Sequence, residues 1–405
     1  MQLRDHAVIV GAGQAGLVAA TTLRAEGFAG RLTLIGAEPT APYQRPPLSK
    51  AFLLGELGDE ALLLRPLTAY SAQDIDLRLA TAVEAIDIAA GRLQLSDGTK
   101  LGFDRLALAT GASPRRLPDT MGGALEGVYS LRTLRDARTL SAELVEGRSI
   151  VIVGGGYVGL ELASTCVARG LTVTVLEAAP RILQRVACHQ TSEYLANVHR
   201  ARGVQIIEGC ELAGLMGGRS VHSVVLKDGR AFAADLVVVA IGIEPSTRLA
   251  ADAGLAIDGG IAVDAQMRSS SERIWAAGDC AAVTVRGRRL RIESVGNAID
   301  SAEIAARNML GRGENYRPLP WFWSDQYDTR LQIAGLNVGF DSVHVRHAGG
   351  GRSHWYYQSD ELLAVDAIND SRAYMVGKRL LEMGRSPPPE VITNPNADLK
   401  ALLRS

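Results

Sequence analysis

The chain has 405 residues, of which 47% are hydrophobic and 21% are charged, and its formal net charge is −1. This length and composition are typical of a globular protein with two or three domains. The near-zero charge argues against bulk electrostatic attraction to nucleic acid or to an anionic membrane. The longest apolar run, Leu236 to Ile243, is too short to cross a bilayer. No signal-peptide segment precedes the first predicted strand, so we expect a cytoplasmic protein.

The first motif along the chain is a glycine fingerprint. We predict a strand at Val8–Val10 and a helix at Gln14–Glu26, with Gly11, Gly13 and Gly16 in the pattern G-x-G-x-x-G. In such a turn the first glycine allows a sharp bend and the second lets a pyrophosphate approach the backbone. The third lets the helix pack closely on the strand. Because the pattern is short, an ordinary glycine-rich turn remains the alternative.

An acidic residue follows the next predicted strand. After the strand Arg31–Ile35 comes Glu38, 22 residues beyond Gly16. A carboxylate about 20 residues after the fingerprint binds ribose hydroxyls in dinucleotide-binding folds. Glu38 therefore favours a dinucleotide site over an ordinary turn.

A second copy of this arrangement begins near residue 149. It consists of a strand at Ser149–Val153, the glycines Gly154, Gly156 and Gly159, a helix at Gly159–Arg169 and a strand at Leu171–Leu176. Glu177 follows that strand, and a carboxylate there accepts hydrogen bonds from a 2′-hydroxyl but repels a 2′-phosphate. This favours NADH over NADPH. Arg181 leaves the phosphate alternative open, although a solvated loop arginine is the interpretation we favour.

The resemblance between the two copies extends beyond the fingerprints. Each copy contains an Asp-Gly pair typical of a tight hairpin, Asp97-Gly98 and Asp228-Gly229. Each is followed by an apolar strand that ends in glycine, at 106–111 and at 236–242. We predict an internal duplication that holds two dinucleotides. A protein that holds two dinucleotides is expected to pass electrons between them.

The last part of the chain has a different character. The segment Ile274–Asp279 predicts a buried strand ending in small residues and an aspartate. After Pro320 the chain is rich in aromatic residues and then alternates apolar and polar residues. This predicts a separate antiparallel α+β domain, followed by a tail on the surface.

Taken in order, these motifs resemble the FAD-dependent pyridine nucleotide–disulphide reductase superfamily. Within it, the chain is similar to the putidaredoxin reductase group, the NADH-dependent ferredoxin reductases that serve bacterial cytochrome P450 and Rieske oxygenase systems. The stretches that carry the resemblance are Pro42–Lys50, Ala109–Gly111, Gly154–Glu161, Ala277–Asp279, Ile292–Ala298 and Pro320–Gln326.

The resemblance implies an α/β fold with glutathione-reductase-like architecture. It consists of two Rossmann-like dinucleotide-binding domains, for FAD and NAD, and a C-terminal α+β domain. The implied boundaries are 1–112 with 246–320 for the discontinuous FAD-binding domain, 113–245 for the NADH-binding domain and 321–405 for the C-terminal domain.

The resemblance also implies binding residues for both cofactors. The first fingerprint, Glu38, Arg45, Lys50 and Asp279 would hold FAD, while the second fingerprint, with Glu161 and Glu177, would hold NADH. Further implied cofactor-binding residues are Ala15, Val83, Ala109, Thr110, Gly111, Arg132, Tyr157, Val158, Arg185, Gly242, Gly278, Val295 and Trp323.

Three of the implied residues are expected to take part in catalysis, namely Lys50, Glu161 and Trp323. Lys50 and Glu161 both map beside the flavin in this family, so we expect a partly buried ion pair near flavin N5. Such a pair would orient the nicotinamide and tune the flavin potential. The resemblance places Trp323 near the flavin, where the electron acceptor docks, whereas core packing is the alternative for Trp321 and Trp323.

Cysteine spacing distinguishes this chain from disulphide reductases and NADH peroxidases. The four cysteines (Cys166, Cys188, Cys210 and Cys280) form no C-x-x-C or C-x-x-x-x-C pair, and Pro42–Lys50 contains none. We therefore expect neither dithiol nor peroxide chemistry, and no metal site. The chain also lacks a cysteine set for an iron–sulfur cluster, so the electrons are expected to leave singly for a separate protein.

The expected partner is a small acidic [2Fe–2S] ferredoxin that serves a cytochrome P450 or, alternatively, a Rieske-type ring-hydroxylating oxygenase. Candidate docking cations are Arg65, Arg307, Arg312 and Lys378, each of which could equally be a solvated surface charge. An apoptosis-inducing-factor-like FAD/NADH-binding scaffold remains the alternative from another functional class. The resemblance is compatible with a monomer or a weak dimer.

Overall fold

The computed structural model describes residues 5–404. In chain order, the strands are β1 (His6–Val10), β2 (Arg31–Ile35), β3 (Ile75–Arg78), β4 (Val83–Asp87), β5 (Arg92–Leu95), β6 (Lys100–Gly102), β7 (Arg105–Leu108), β8 (Ala112–Pro114), β9 (Val128–Tyr129), β10 (Ser149–Val153), β11 (Thr172–Leu176), β12 (Gln205–Ile207), β13 (Leu212–Gly217), β14 (Val221–Leu226), β15 (Ala231–Ala233), β16 (Leu236–Val239), β17 (Ile243–Pro245), β18 (Ile261–Ala262), β19 (Ile274–Ala276), β20 (Ala281–Val285), β21 (Arg288–Leu290), β22 (Trp321–Gln326), β23 (Thr329–Gly335), β24 (Ser342–Ala348), β25 (Gly351–Gln358) and β26 (Glu361–Ile368).

The α-helices are α1 (Gln14–Ala25), α2 (Asp59–Leu62), α3 (Thr68–Ala72), α4 (Leu134–Glu143), α5 (Tyr157–Ala168), α6 (His189–Arg200), α7 (Arg248–Asp252), α8 (Val295–Met309), α9 (Ser371–Glu382) and α10 (Pro389–Thr393). Short 3-10 turns occur at Pro46–Ser49, Asp119–Met121, Gly278–Cys280 and Leu399–Leu403. Among residues 5–404, none of the helices combines the length and the apolar character needed to span a membrane.

The chain divides into two compact units. The first unit contains the described residues up to Gln44, together with Asp59–Ser113 and Glu244–Pro320. The second contains Arg45–Gly58, Pro114–Ile243 and the described residues from Trp321 onward. We predicted three domains, with 113–245 and 321–405 separate and with 45–58 in the first domain, and that division stays a prediction.

The first unit is built on a five-stranded parallel sheet in the order β19-β7-β1-β2-β3. The apolar, β-branched residues of β1 are buried on both faces, as is typical of a parallel sheet covered by helices. The helices α1 and α8 pack against each other in this unit. A three-stranded antiparallel sheet, β4-β5-β6, contains the predicted Asp97-Gly98 hairpin turn.

The second unit repeats this topology. Its parallel sheet has the order β12-β11-β10-β16-β9, so the returning strand β16 lies beside β10 as β7 lies beside β1. A second three-stranded antiparallel sheet, β13-β14-β15, contains the predicted Asp228-Gly229 turn. The duplication predicted from the sequence is therefore present in the strand order.

The residues after 320 form an antiparallel sheet in the order β22-β23-β26-β25-β24, with α9 packed against β26 and β23. Trp355, Tyr357 and Val365 lie in its core. The prediction of a surface tail is wrong for Ile392 and Leu399, which are buried in the same core. The tail is held because the Arg346 guanidinium donates to four of its carbonyl oxygens.

Candidate functional site

The first glycine fingerprint has the backbone geometry that its sequence predicts. Gly11 has φ +113°, and a Cβ there would lie 2.0 Å from the carbonyl oxygen of Ala109. A Cβ on Gly16 would lie 1.8 Å from the carbonyl oxygen of Gly11. At Gly13, which precedes the first turn of α1, a Cβ would meet no atom within 4 Å. Two glycines are thus required by packing, whereas the third leaves an open space at the helix N-terminus.

The three glycines of the second fingerprint have the same surroundings as those of the first. Gly154 has φ +114°, and its Cβ would lie 2.4 Å from the carbonyl oxygen of Ala240, the counterpart of Ala109. A Cβ on Gly159 would lie 2.1 Å from the carbonyl oxygen of Gly154. Gly156, like Gly13, has nothing within 4 Å of its Cβ position. An open cradle at a helix N-terminus, where unpaired amides face outward, is suited to a pyrophosphate.

Glu38, which follows β2, and Glu177, which follows β11, are both held in place by hydrogen bonds. Tyr43 donates a 2.6 Å hydrogen bond from its hydroxyl to Glu38 Oε2. Glu177 is held by backbone amides, since Gly155 N donates to Oε2 at 2.7 Å and Ala179 N donates to Oε1 at 2.7 Å. The Gly155 bond joins Glu177 directly to the fingerprint loop. Each carboxylate is thus held by a hydrogen bond within its own unit, and Glu177 is held by its fingerprint loop.

The other predicted residues of the first unit lie on several of its elements, and Ala109, Thr110, Gly111 and Gly278 follow the parallel strands β7 and β19. Ala109 N donates to Val10 O, and the Thr110 hydroxyl donates to Ser246 O at 2.7 Å. Gly278 has φ +74°, and its Cβ would lie 3.0 Å from that of Ala15. The remaining positions are Gly111 after β7, Val83 on β4, Asp279 in the turn after β19 and Val295 at the start of α8.

The other predicted residues of the second unit form three groups. Arg45 Nη1 donates to Arg132 O at 2.7 Å. Val158 is 45% exposed in the first turn of α5. The Arg185 Nη2 atom lies 3.7 Å from the position of a Cβ on Gly242, whose φ is +102°.

Lys50 and Glu161 form the ion pair that the sequence predicts. Lys50 Nζ lies 2.6 Å from Glu161 Oε2, and the two side chains are 17% and 6% exposed. The lysine follows a 3-10 turn that begins with two prolines, while Glu161 projects from α5. Thr165, one turn further along α5, donates to Ser49 O at 2.7 Å and so fastens the lysine segment to the helix.

Two serines that the sequence analysis did not select complete the surroundings of Glu161. The Ser49 hydroxyl donates to Oε2 at 2.6 Å, and the Ser324 hydroxyl donates to Oε1 at 2.7 Å. Ser324 belongs to Pro320–Gln326, the stretch that resembles the family, but its contact with Glu161 joins residues 163 positions apart. The alternation of β22 could have indicated that Ser324 faces inward, but not which residue it meets.

The aromatic residues of β22 face both sides of the strand. Trp321 and Trp323 stack on each other with ring centroids 5.6 Å apart, and Lys378 Nζ lies 5.5 Å from the Trp321 centroid. On the other face, Phe322 lies 4.6 Å from the ring of Tyr157. Burial raises the pKa of the Tyr157 phenol well above its usual value. Trp323 is half-buried, so it is not a fully buried core residue.

A buried polar cluster of the second unit was not predicted. Ligand atoms of Cys188, His354 and Asp366 lie within 4.8 Å of one another, as in metal sites. The Thr191 hydroxyl occupies the centre of this cluster. It lies 2.7 Å from His354 Nδ1, donates to Asp366 Oδ2 at 2.7 Å and lies 3.3 Å from Cys188 Sγ. Burial raises the pKa of Asp366 to about 6 and lowers that of His354 to about 4.

The candidate docking cations differ in their surroundings. Arg307 is paired with Glu26, Glu303 and Glu314 at 3.2 to 3.4 Å, and Arg312 contacts Glu26. These carboxylates neutralise both guanidinium groups locally, which makes them less suited to an acidic partner. Arg65 is exposed, and Lys378 lies over Trp321.

Comparison with protein families identifies the architecture. The model of the pyridine nucleotide-disulphide oxidoreductase family matches residues 5–302, and the model of the reductase C-terminal domain matches residues 321–403. The chain belongs to the pyridine nucleotide-disulphide oxidoreductase family. This membership confirms the predicted fold class, and the open cradles at Gly13 and Gly156 fit two dinucleotides.

Several oxidoreductases resemble the chain over nearly its whole length. It is 41% identical to a ferredoxin–NAD(P)(+) reductase of a Sphingomonas species, over 97% of this chain and 96% of that protein. It is 38% identical to the putidaredoxin reductase of Pseudomonas putida, over 100% and 98%. It is also 38% identical to the ferredoxin–NAD(+) reductase component of the anthranilate 1,2-dioxygenase system of Burkholderia cepacia, over 98% and 99%.

Solved structures give the same result. The chain superposes with a TM-score of 0.95 on the reductase of the covalent putidaredoxin reductase–putidaredoxin complex, at 38% identity over 99% of this chain and 98% of that one. The TM-score is also 0.95 for the ferredoxin reductase of the CYP199A2 system from Rhodopseudomonas palustris, at 38% identity over 98% and 99%. The predictions of a putidaredoxin reductase-like NADH-dependent ferredoxin reductase and of FAD and NADH as its cofactors are thereby confirmed.

Proposed function

We propose that this ferredoxin reductase takes electrons from NADH and delivers them singly to a [2Fe–2S] ferredoxin that serves a cytochrome P450. The observation that carries this proposal is the partly buried ion pair between Lys50 and Glu161, a residue of the helix that begins at the second fingerprint. The chemistry supplied by the bound cofactors is hydride transfer from NADH to flavin N5 and release of single electrons to the ferredoxin.

In this proposal each fingerprint binds one pyrophosphate. The first fingerprint, Glu38, Arg45, Lys50 and Asp279 bind FAD, and the second fingerprint, Glu161 and Glu177 bind NADH. The three predicted domains, 1–112 with 246–320, 113–245 and 321–405, are proposed on the same basis. Glu177 accepts two backbone hydrogen bonds and still offers a carboxylate to a ribose, which supports a preference for NADH.

Lys50 and Glu161 are proposed to orient the reacting groups. The ammonium group is held by Glu161 and by the carbonyl oxygen of Pro46 at 3.1 Å, so its direction is fixed. A fixed positive charge stabilises the negative charge that develops where a hydride is accepted. Glu161 keeps that lysine in place without transferring a proton itself.

The cysteines support electron transfer to an external protein. All four lie in the described part of the chain, where they are free and buried. Burial raises the pKa of the Cys166 thiol to about 12 and also raises the pKa values of the Cys210 and Cys280 thiols. A reactive thiol needs the opposite shift, because the thiolate is the nucleophile.

The ferredoxin is proposed to dock at Trp321, Trp323 and Lys378. Lys378 offers a positive charge to an acidic partner, and the stacked indoles offer a rigid surface. Arg65 is a second exposed cation, in the first unit. Electron-transfer contacts are weak, so a small patch is sufficient.

The decisive experiment measures electron flow in the FAD-loaded protein. We expect rapid NADH-dependent reduction of ferricyanide and steady turnover when a [2Fe–2S] ferredoxin and a P450 are added. Turnover only with a Rieske-type ferredoxin and its oxygenase would assign the chain to a ring-hydroxylating system instead. Sluggish reduction with a long-lived charge-transfer complex and a change of oligomeric state would favour the apoptosis-inducing-factor-like scaffold and overturn the proposal.

The cellular setting belongs to the same proposal. A cytoplasmic location agrees with an NADH donor and a small protein acceptor. A monomer or weak dimer would leave Trp323 accessible to the ferredoxin. Sedimentation of the FAD-loaded protein tests this point, and a tight dimer that covers Trp323 would contradict it.

A further inference from the structure

The Glu161 carboxylate lies at one end of a buried hydrogen-bond chain. Ser324 donates to Glu161 Oε1 at 2.7 Å, and Gln326 Nε2 donates to Ser324 Oγ at 3.0 Å. His199 Nε2 lies 2.8 Å from Gln326 Oε1, and the Tyr327 hydroxyl lies 3.2 Å from His199 Nδ1. Ser324, Gln326 and His199 are at most 1% exposed, so water does not complete these bonds.

The direction of every bond in this chain follows from the carboxylate. An ionised carboxylate only accepts, so Ser324 must donate to it and take its own hydrogen bond from the Gln326 amide nitrogen. The Gln326 oxygen then faces His199, which must carry its proton on Nε2. This leaves Nδ1 as an acceptor for the Tyr327 hydroxyl.

The protonation states of the distant members agree with this direction. Burial lowers the pKa of His199 to about 4, so the imidazole is neutral near pH 7. Burial raises the pKa of Tyr327 to about 12, so the phenol keeps its proton. Both groups are therefore able to take the roles that the carboxylate imposes.

Backbone contacts fix the strand that contains Ser324 and Gln326. Ser324 and Gln326 occupy alternate positions on β22 and so share one face of the strand. The amide of Tyr327, just beyond β22, donates to Ser164 on α5 at 2.8 Å. The strand is thus fixed to the same helix that carries Glu161.

We infer that Ser324, Gln326 and His199 are positioning residues for the proposed reaction, through a one-way hydrogen-bond chain that fixes the Glu161 carboxylate and, through it, Lys50. Donors aligned in one direction polarise one another and strengthen the last bond to the charge. The inference rests on the proposed function, because it gives these residues a role in the proposed reduction of FAD by NADH.

Stopped-flow reduction of the FAD-loaded protein by NADH tests the inference. We expect Ser324→Ala to lower the limiting rate of flavin reduction about tenfold, the lower end of what one hydrogen bond to a charged group contributes. The Kd for NADH should stay within about twofold of wild type, because the bond orients a group and does not hold NADH. Gln326→Leu keeps the serine bond and should give a smaller loss.

Ser353→Ala is the matched control. Ser353 is fully buried in the same antiparallel sheet and accepts a hydrogen bond from Trp355, but it has no bond to the chain that ends at Glu161. It should keep the wild-type rate. An equal loss in Ser353→Ala, or a wild-type rate in Ser324→Ala, would overturn the inference.

A second readout needs no turnover. In histidine-labelled protein we expect the ¹⁵N signals of His199 to report the Nε2–H tautomer at pH 7. We expect them to shift in Glu161→Gln, which removes the charge at the other end of the chain. Unchanged His199 signals in Glu161→Gln would contradict the proposed coupling between His199 and Glu161. Failure of the wild-type protein to reduce its FAD with NADH would instead refute the proposed function. The His199 signals would still test the hydrogen-bond chain in that case.

Discussion

Replacing Lys50 by methionine removes the positive charge of the buried ion pair while keeping a side chain of similar length. Glu161, whose side chain is 6% exposed, then loses its cationic partner, and the Ser49 and Ser324 hydroxyls are the donors that remain to it among the described residues. An uncompensated buried charge destabilises a protein more than loss of the whole pair. We therefore expect Lys50→Met to be more damaging than Lys50→Met combined with Glu161→Gln.

The size of this effect can be worked from the geometry. Two unit charges 2.6 Å apart attract by about 6 kcal/mol at an effective dielectric constant of about 20. Residual water at Lys50, which is 17% exposed, and the cost of desolvation reduce this gross attraction. We expect a coupling free energy of about 2 kcal/mol, roughly a thirtyfold change in an equilibrium constant.

A double-mutant cycle measures that coupling. The free energy of unfolding is obtained by urea titration for wild type, Lys50→Met, Glu161→Gln and the double variant. Tryptophan fluorescence suits the measurement, because Trp321, Trp323 and Trp355 lie in the second unit with the pair. Free energies that add within about 0.5 kcal/mol would refute the reasoning. The same Lys50→Met protein should reduce FAD with NADH more slowly, and an unaltered rate would exclude Lys50 from catalysis.

Gly156→Ala should weaken NADH binding at least tenfold with little change in Tm, because its Cβ enters only the open cradle, whereas Gly159→Ala should lower Tm because its Cβ meets the Gly154 carbonyl. Calorimetry measures the NADH affinity of the two variants, and thermal melts measure their Tm values. Equal losses of Tm in the two variants would contradict this prediction. Glu177→Gln should raise kcat/KM for NADPH relative to NADH about tenfold, measured by steady-state kinetics, and no change would exclude Glu177 from cofactor selection. Burial lowers the folded-state pKa of His199 to about 4, so the unfolded chain takes up a proton on this histidine first as the pH falls. The free energy of unfolding should therefore decrease as the pH is lowered from about 6.5 to about 4. Urea titrations of wild type and His199→Asn across this pH range measure the difference between their free energies of unfolding. A difference that does not change with pH would contradict the prediction.

Local sequence signals predicted most of the elements that position the site. The strands Arg31–Ile35 and Ser149–Val153 have the predicted bounds, because an apolar β-branched run followed by a glycine turn leaves few other structures open. The predicted helices after both fingerprints are also present, with ends within two residues. The positive φ values of Gly11 and Gly154 follow from the same pattern.

Contacts between distant residues were harder to predict. Alternation along β22 assigns Ser324 and Gln326 to one face, but it carries no information about the helix that covers that face. The Ser324–Glu161 and Gln326–His199 bonds therefore appear only once α5, α6 and β22 are packed together. Arg307 illustrates the same limit, because its neutralising partners include Glu26, 281 positions away. A charge read from the sequence does not reveal its neighbours.

The four buried thiols make native-state dynamics measurable without mutation. Cys280 lies in the first unit, and Cys166, Cys188 and Cys210 lie in the second, each at most 5% exposed. A thiol reagent can modify such a cysteine only after a local or global opening, so the labelling rate reports the free energy of that opening. Mass spectrometry of the labelled peptides would separate the opening of the two units. Protection of each thiol by FAD or NADH would then reveal which unit each cofactor stabilises.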